Sequence, residues 1–328
     1  VSNTAELLTA LGQIVAGQTI FCNAGAFPGL WTISNKSFAA PGITITSTDP
    51  LDPAVLNYFE MANCAGITFG NIDFEVLLPA FYGWKFDTCD RITISAGVRC
   101  RSNSSIPADF TDVVGMRFFT CTNTVVEDGE FYHLNQCIQG AISTDTLVIR
   151  RNNLHDMNSD CIDIGNVSNV TVSDNWGHDW HTTAGNHPDF CQFTADCHNV
   201  TISGNLIERG AGNNTQGVFP GDGNHTNVDI DGNMVAGTGA SGIRPISCTG
   251  VTVNNNDLIT FVGGDPTTLL VQLSDQVTVT NNRTAAGALS VVTSTNVTQS
   301  GNEDIAAVSD QGAADIAAWR LLHPDVPV

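Results

Sequence analysis

Asp160, Asp163 and Asp189 stand at or near the start of two strand-like segments, DCIDI (160–164) and DFCQF (189–193). Carboxyl groups held this close cannot all ionise freely, so one is kept protonated and can act as an acid. The same three side chains would also suit Ca²⁺, a hard cation that takes oxygen ligands. A plainer role is open too, because Asp often starts strands through local hydrogen bonds alone. A second set is histidine-rich: His155, His178 and Glu208 each follow an asparagine (Asn152, Asn175, Asn205) by three residues. His133 fits the same register one repeat earlier, with Glu130 in the asparagine's place. Asp156 and Asp179 follow two of the histidines and would fix their tautomers for proton transfer near neutral pH. Repeat duplication would leave the same ladder as a solvated face, and transition-metal ligation would want tighter spacing. Trp180, His181 and His187 occupy the loop from 179 to 188, between the two sets.

Alignment of QCIQG (136–140), DCIDI, DFCQF, QGVFP (216–220), SGIRP (241–245) and LLVQL (269–273) adds a further row. Period-two alternation turns Ile162, Cys191, Val218, Ile243 and Val271 inward. Gln139, Asp163, Gln192, Phe219, Arg244 and Gln272 then face outward. An aromatic ring flanked by Asp, Gln and Arg is what a sugar-binding groove needs, although an ordinary solvated sheet face has similar members. The groove expected here has Asp160, Asp163, His178, His187, Asp189 and Arg244 as catalytic candidates. His155, Trp180, His181, Gln192, Glu208 and Phe219 are the substrate-binding candidates.

The elements that would position these residues follow from a repeat. Asn152, Asn175, Asn205, Asn233, Asn256, Asn282 and Asn302 each end a short alternating run (LVIRRN, VTVSDN, VTISGN, VDIDGN, VTVNNN, VTVTNN, VTQSGN). Their spacings are 23, 30, 28, 23, 26 and 20 residues. A repeat of this length marks a stacked architecture, and each run reads as a half-buried strand. Asparagine tolerates the left-handed conformation of a tight corner, and stacked corners would form a hydrogen-bonded ladder. The fold expected is all-β: a single-stranded, right-handed parallel β-helix (solenoid) of roughly ten coils at about 4.8 Å per rung. Residues 1–20 are expected to hold a cap helix, with a Thr4 cap and a Leu7, Leu8, Leu11, Ile14, Val15 stripe, and a lead-in strand. Residues 21–305 form the solenoid, less regular with longer loops over 76–118. Residues 306–328 hold a second short helix, Ala313 to Leu322, that covers the other end or meets a partner chain.

The 328 residues are 42% apolar, enough for one large core, with no linker-like break. Thirty-three Asp and Glu against 12 Lys and Arg give a formal charge of −21. No basic stripe exists to displace counterions, so nucleic acid is not an expected partner, nor is membrane insertion. The chain starts at VSNTAELL with no signal-peptide pattern. Of ten cysteines, Cys64, Cys89, Cys197 and Cys248 stand three residues before an apolar run, and Cys121 four before Val125. Equivalent positions stack, so these are expected to be reduced, buried thiols acting as small hydrophobes rather than disulfides.

With these residues in view, the chain resembles the pectin-lyase-like superfamily of right-handed β-helix proteins. NTAELLTALGQIVAGQTIFCNAGAF is similar to the cap helix and first turn-strand of that superfamily. HPDFCQF (187–193) resembles a His-Pro-Asp-x-x-Gln pattern of bacterial and phage β-helix proteins. NSDCIDIGN resembles the Asn-Thr-Asp start of polygalacturonase-like glycosidases, with Arg244 downstream, though that group's Asp-Asp pair and Gly-His-Gly are absent. The resemblance implies a protein that acts on a long sugar polymer, outside the cell or on a virion.

Three readings follow. A polysaccharide lyase would use a histidine base, with Arg244 neutralising a uronate carboxylate and no cofactor required beyond a possible Ca²⁺. An inverting glycoside hydrolase would use the Asp cluster. A phage or virion spike would bind a surface glycan uncleaved, as a homotrimer joined through the Trp319 helix. The lyase is the first expectation.

Overall fold

The computed structural model describes residues 1–29, 31–77, 82–184, 186–239 and 241–327. The chain winds into a right-handed parallel β-helix with three strand rows. All strand pairs given by the register are parallel, and successive coils pair with one another. One coil reads Ile162–Ser173, which bends at Asn166 from the first row into the second, then Trp176–His178 in the third. The next reads Asp189–Phe193, Cys197–Ser203 and Leu206–Glu208. The third row alone is a sheet of twelve strands.

The asparagine ladder is present. Asn152, Asn175, Asn205, Asn233, Asn256 and Asn282 are all completely buried. Each Oδ1 from Asn175 upward accepts both the backbone N–H and the Nδ2–H of the asparagine one coil earlier, at 2.9–3.1 Å. Each Nδ2 also donates to a carbonyl of the preceding run, as from Asn205 to Val172 at 3.0 Å. The conformational reason differs from the expected one. The left-handed residue is the one before the ladder asparagine: Arg151, Asp174, Gly204, Gly232, Asn255, Asn281 and Gly301. The asparagine is there for its amide, which meets backbone groups that the corner takes out of the sheet ladder. The ladder starts on Gly129, whose N–H donates to Asn152 Oδ1. Gly129, not Glu130, therefore stands in the asparagine position, and His133 falls one residue out of the histidine register.

All ten cysteines are free and buried. Their stacked members are more than small hydrophobes. At the corner between the first and second rows, Cys64, Cys89, Cys121, Cys197 and Cys248 each aim the thiol at the carbonyl two residues back, at 3.1–3.5 Å. Thr144 fills the same position with a hydroxyl bonded to Phe118 and Ala141, and Ser274 and Ser294 do likewise with Gln272 and Val292. Most members of this position are small side chains with a hydrogen to donate, Val167, in register between Thr144 and Cys197, being an apolar exception.

The N-terminal helix, Thr4–Gln13, is capped by Asn3 rather than Thr4: Asn3 Oδ1 accepts the Glu6 N–H. Leu7 and Leu11 close the first coil, while Leu8 and Val15 stay 38% and 59% exposed. The segment from 76 to 118 is more regular than expected. Its described part carries strands Tyr82–Asp87, Asp90–Ile94, Arg99–Ser102 and Val114–Phe119, with one short 3₁₀ turn at Pro107–Asp109; residues 78–81 lie outside the described residues. The C-terminal helix is Ala313–Leu322, as expected, but it neither closes the far end nor leaves Trp319 free for a partner. It lies along the outside of the third row, where Trp319, only 6% exposed, packs with Leu206, Met234, Ala236 and Ile259. Arg320 sits 4.5 Å over the Trp176 ring, and Pro324–Pro327 share a cleft with Gly97, Arg99, Glu130 and Arg151. No helix among the described residues is long and apolar enough to cross a membrane.

Two outcomes are expected. Asn205→Ala strips the partner from the Asn175 N–H and Nδ2–H and should cost about 3–5 kcal/mol, since each buried unpaired donor costs ~1–3; unchanged thermal unfolding would refute the ladder's role. At the corner, Cys121→Ser should be tolerated while Cys121→Val should lower stability by about 1 kcal/mol or more. Equal melting of the two variants would return the thiol to a merely apolar role.

Candidate functional site

On the first row, the backbone register runs Arg117↔Gln139↔Asp163↔Gln192↔Phe219, with Arg244 one coil further through the Val218↔Ile243 bridge. The expected outward row is therefore correct over these coils. It fails at its end: Ile243 pairs with Leu269, so Leu270, not Gln272, stands opposite Arg244. Arg244 still reaches Gln272, donating from Nη2 and Nε to Oε1 at 3.0 and 3.3 Å, and its guanidinium lies 5.7 Å over the Phe219 ring.

A second outward column runs beside it. Each strand starts just ahead of a bend that buries two successive residues, such as Cys161 and Ile162. The residue ahead of that bend returns to the outside, giving Gln136, Asp160, Asp189 and Gln216 in successive coils. The columns meet at Gln136, whose Nε2 donates to both Asp160 Oδ2 and Asp163 Oδ2 at 3.2 Å. Asp163 also accepts from Gln139 at 2.8 Å and, on Oδ1, from Thr194 at 2.8 Å. Asp160 Oδ1 accepts the Asp189 N–H at 2.9 Å. Gln136 holds the first position of the aligned segments, so this column is legible in the sequence beside the row at the fourth position.

The carboxyl groups are nearly sealed, at 3%, 4% and 0% exposure for Asp160, Asp163 and Asp189. Burial pushes Asp160 up to about 6, against the hydrogen bonds from Asp189 and Gln136 that favour its charged form; Asp163 adds to the rise and His187 opposes it. Burial, then the charges of Asp160, Asp222 and Asp163, pushes Asp189 up to about 9. Neither Asp189 oxygen has a hydrogen-bond partner among the described residues, and neither does Oε1 of Gln216, its register partner. A proton on Asp189 turns two facing acceptors into a donor and an acceptor. Among the described residues, no three His, Cys, Asp or Glu side chains are gathered as a metal ion needs.

The histidine column lies on a different face. In the third row Tyr132, His155 and His178 are in register, with Glu208 next, and the Tyr132–His155 and His155–His178 rings stack at 5.2 and 5.1 Å. His155 Nδ1 meets Asp156 at 2.6 Å and Nε2 meets Glu130 at 3.2 Å. Burial alone would lower His155, but these two carboxylates outweigh it and push it up to about 9. His178 joins Asp179 at 2.6 Å and Asn153 at 2.9 Å, and burial outweighs Asp179 to lower it. Glu208 is raised by burial and accepts Trp176 Nε1–H at 2.7 Å. His181 pairs with Asp156 at 2.9 Å, so it belongs to this face too.

Of the residues that the loop was expected to carry to the acid cluster, only the exposed His187 is near enough to act on Asp160. Trp180 corrects the expectation most sharply: it is fully buried, packed with Phe190 over Gly177, and offers no face to a ligand. Gln192 and Phe219 remain half-exposed on the first row. Tyr132 and Trp176, which complete the third-row stack, carried no repeat signal beyond their strand position.

No protein-family description and no curated protein matches the chain. Solved structures do match in fold. An alginate lyase from Paenibacillus sp. str. FPU-7 aligns over 93% of this chain and 98% of its own, with TM-score 0.53 and 15% identity. The Dettilon tailspike protein (gp208) aligns over 92% of this chain with TM-score 0.58 and 12% identity. A lacto-N-biosidase of the GH136 group from Eubacterium ramulus aligns over 91% with TM-score 0.58 and 10% identity. The chain spans 64% of the length of each of these last two. The protein is a parallel β-helix, the fold it shares with these structures.

Asp189 gives a testable pH dependence. Its folded pKa of about 9 lies above the usual value of 3.8, so its contribution to stability is full below about pH 4 and lost as pH rises through about 9. Asp189→Asn should raise the melting temperature at pH 8, by about 1–2 °C for each kcal/mol regained in a chain of this length, with little gain at pH 4. Melting curves that differ equally at both pH values would refute the raised pKa.

Proposed function

We propose that the chain hydrolyses a glycan laid along the outer face of the first row, with Asp160 as the proton donor and Asp163 as the carboxylate that activates water. The observation that carries this reading is the pair of carboxyl groups held by one amide, Gln136, in unlike surroundings. Asp160 keeps its proton to about pH 6, while Asp163 carries three donors on its oxygens and is arranged to accept. Two carboxyl groups given different tasks by their environments are what glycoside hydrolysis uses. His187, Gln192, Phe219 and Arg244 form the accessible approach, with an aromatic surface for a sugar ring.

Elimination, the first expectation from sequence, fits less well. Of its histidine bases His178 stands on another face and only His187 is near the acid cluster, and a polyuronate would meet the acidic first-row face around Asp163 and Asp222. Arg244 is the feature that favours it, because it makes no ion pair among the described residues and stands over Phe219. The lyase and tailspike neighbours lend the fold to cleavage and to binding alike. A polysaccharide or surface-glycan partner agrees with an extracellular or virion-associated setting.

Purified protein incubated with neutral and acidic polysaccharides tests the reading. New reducing ends without the ultraviolet absorbance of a C4–C5 double bond are expected. Asp160→Asn and Asp163→Asn should each lose about a hundredfold or more in kcat with little change in melting temperature. The wild-type rate should fall as pH rises through about 6, as Asp160 loses its proton. Absorbance rising with the reducing ends would instead make the reaction an elimination, and Arg244→Ala would then be the damaging variant.

A further inference from the structure

The loops that lead into the Phe219 and Arg244 strands enclose a second recess. Arg209, Asn214, Gly237, Thr238, Gly239, Phe261, Gly263, Gly264 and Asp265 line a cleft of about 280 Å³, a volume on the scale of one sugar ring. Three features point to a ligand. Arg209 makes no ion pair among the described residues; its Nη1 donates to Asn214 Oδ1 at 3.3 Å and its guanidinium lies 5.4 Å from the Phe261 ring centre. In a chain of charge −21, a guanidinium left without a carboxylate is available for an anion. Thr238 is 1% exposed, yet its Oγ1 has no hydrogen-bond partner among the described residues, an expensive arrangement for a buried hydroxyl. The glycines keep the recess open: a Cβ at Gly237 would run into the Phe261 ring, and Gly263 holds φ at +78° with open space beside it.

We propose that this cleft binds a single uronate residue of the glycan, which rests on the glycan reading above and narrows it to a polymer with isolated acidic sugars among neutral ones. Arg209 takes the carboxylate through charge-assisted hydrogen bonds, Phe261 meets the apolar side of the ring, and the Thr238 hydroxyl pairs with a ring hydroxyl. A uniformly charged polyuronate suits the layout less well, since Asp163 and the exposed Asp222 on the first-row face oppose a run of carboxylates. Asp265 stands at the rim and opposes an anion.

Calorimetric titration with glucuronate, galacturonate, glucose and acetate tests the site. A hexuronate should bind, glucose and acetate should bind at least about tenfold more weakly, and Arg209→Ala should weaken the hexuronate by about tenfold or more. Thr238→Val should weaken it while raising the melting temperature of the free protein, since a buried unpaired hydroxyl is removed, and Asp265→Asn should tighten it. Glucose or acetate binding as well as the hexuronate, a hexuronate indifferent to Arg209→Ala, or weaker binding in Asp265→Asn would overturn the proposal. Polysaccharide cleavage is scored separately. Cleavage without hexuronate binding at this cleft removes the uronate site alone, whereas Arg209-dependent binding without cleavage of any polymer removes the hydrolytic reading alone.

Discussion

Every coil of the ladder region has to take its backbone out of one sheet and into the next without leaving polar groups stranded in the core. A column of buried amides meets that constraint. Each asparagine accepts twice from one neighbour, donates twice to another and closes off a carbonyl of the coil before its own. The interaction is a lattice rather than a set of pairs, so the position of any corner is set by the corners above and below it. That regularity fixes the rungs, and the rungs fix which side chains on the first row stand within hydrogen-bonding reach.

The second recurrent corner works on the same principle with different chemistry. Thiols, a threonine and serines recur at one stacked position, each small and carrying a hydrogen for a nearby carbonyl, two residues back from the thiols and serines and three from Thr144, while Val167 fills the position without one. His225 falls in the same column, opposite Cys248 in register, and accepts from the corner one coil earlier, as Thr144, Ser274 and Ser294 also do. Cys197 N–H donates to His225 Nδ1 at 3.3 Å, and burial lowers this histidine to about 4, so the ring is neutral. With the corners thus held, the first row can carry acidic groups in a nearly dry setting, where their pKa values separate.

Periodicity made the solenoid, the asparagine column, both helices and most of the outward row legible in the amino-acid sequence. Those features depend on local pattern and on register between equivalent positions. What was not legible depends on depth and on returning chain. Asp189 and Trp180 read as surface candidates from their neighbours in sequence, and both are fully buried, Trp180 because the loop folds it over Gly177. The histidine column was correctly aligned for His155 and His178, but alignment along the rod says nothing of which side of the rod a column faces. The Leu270–Gln272 slip has the same origin: SGIRP is held by isolated bridges rather than by a continuous strand, so its partner cannot be counted from pattern alone.

A stack of coils that touch only their neighbours behaves as a one-dimensional array, free to fray from either end. The C-terminal segment alters that. It leaves the last coil, lays Trp319 on Met234 and Leu206 and Arg320 on Trp176, and finishes beside Glu130 and Gly97. The rod is thereby tied lengthwise, like a spring with a cord along its flank. Opening the final coils requires the cord to lift from coils far below, so melting that would begin at one end is coupled to the middle of the molecule. The same cord lies over the tryptophan that stacks on His178, so the mechanical integrity of the far end and the packing of the histidine face are one property.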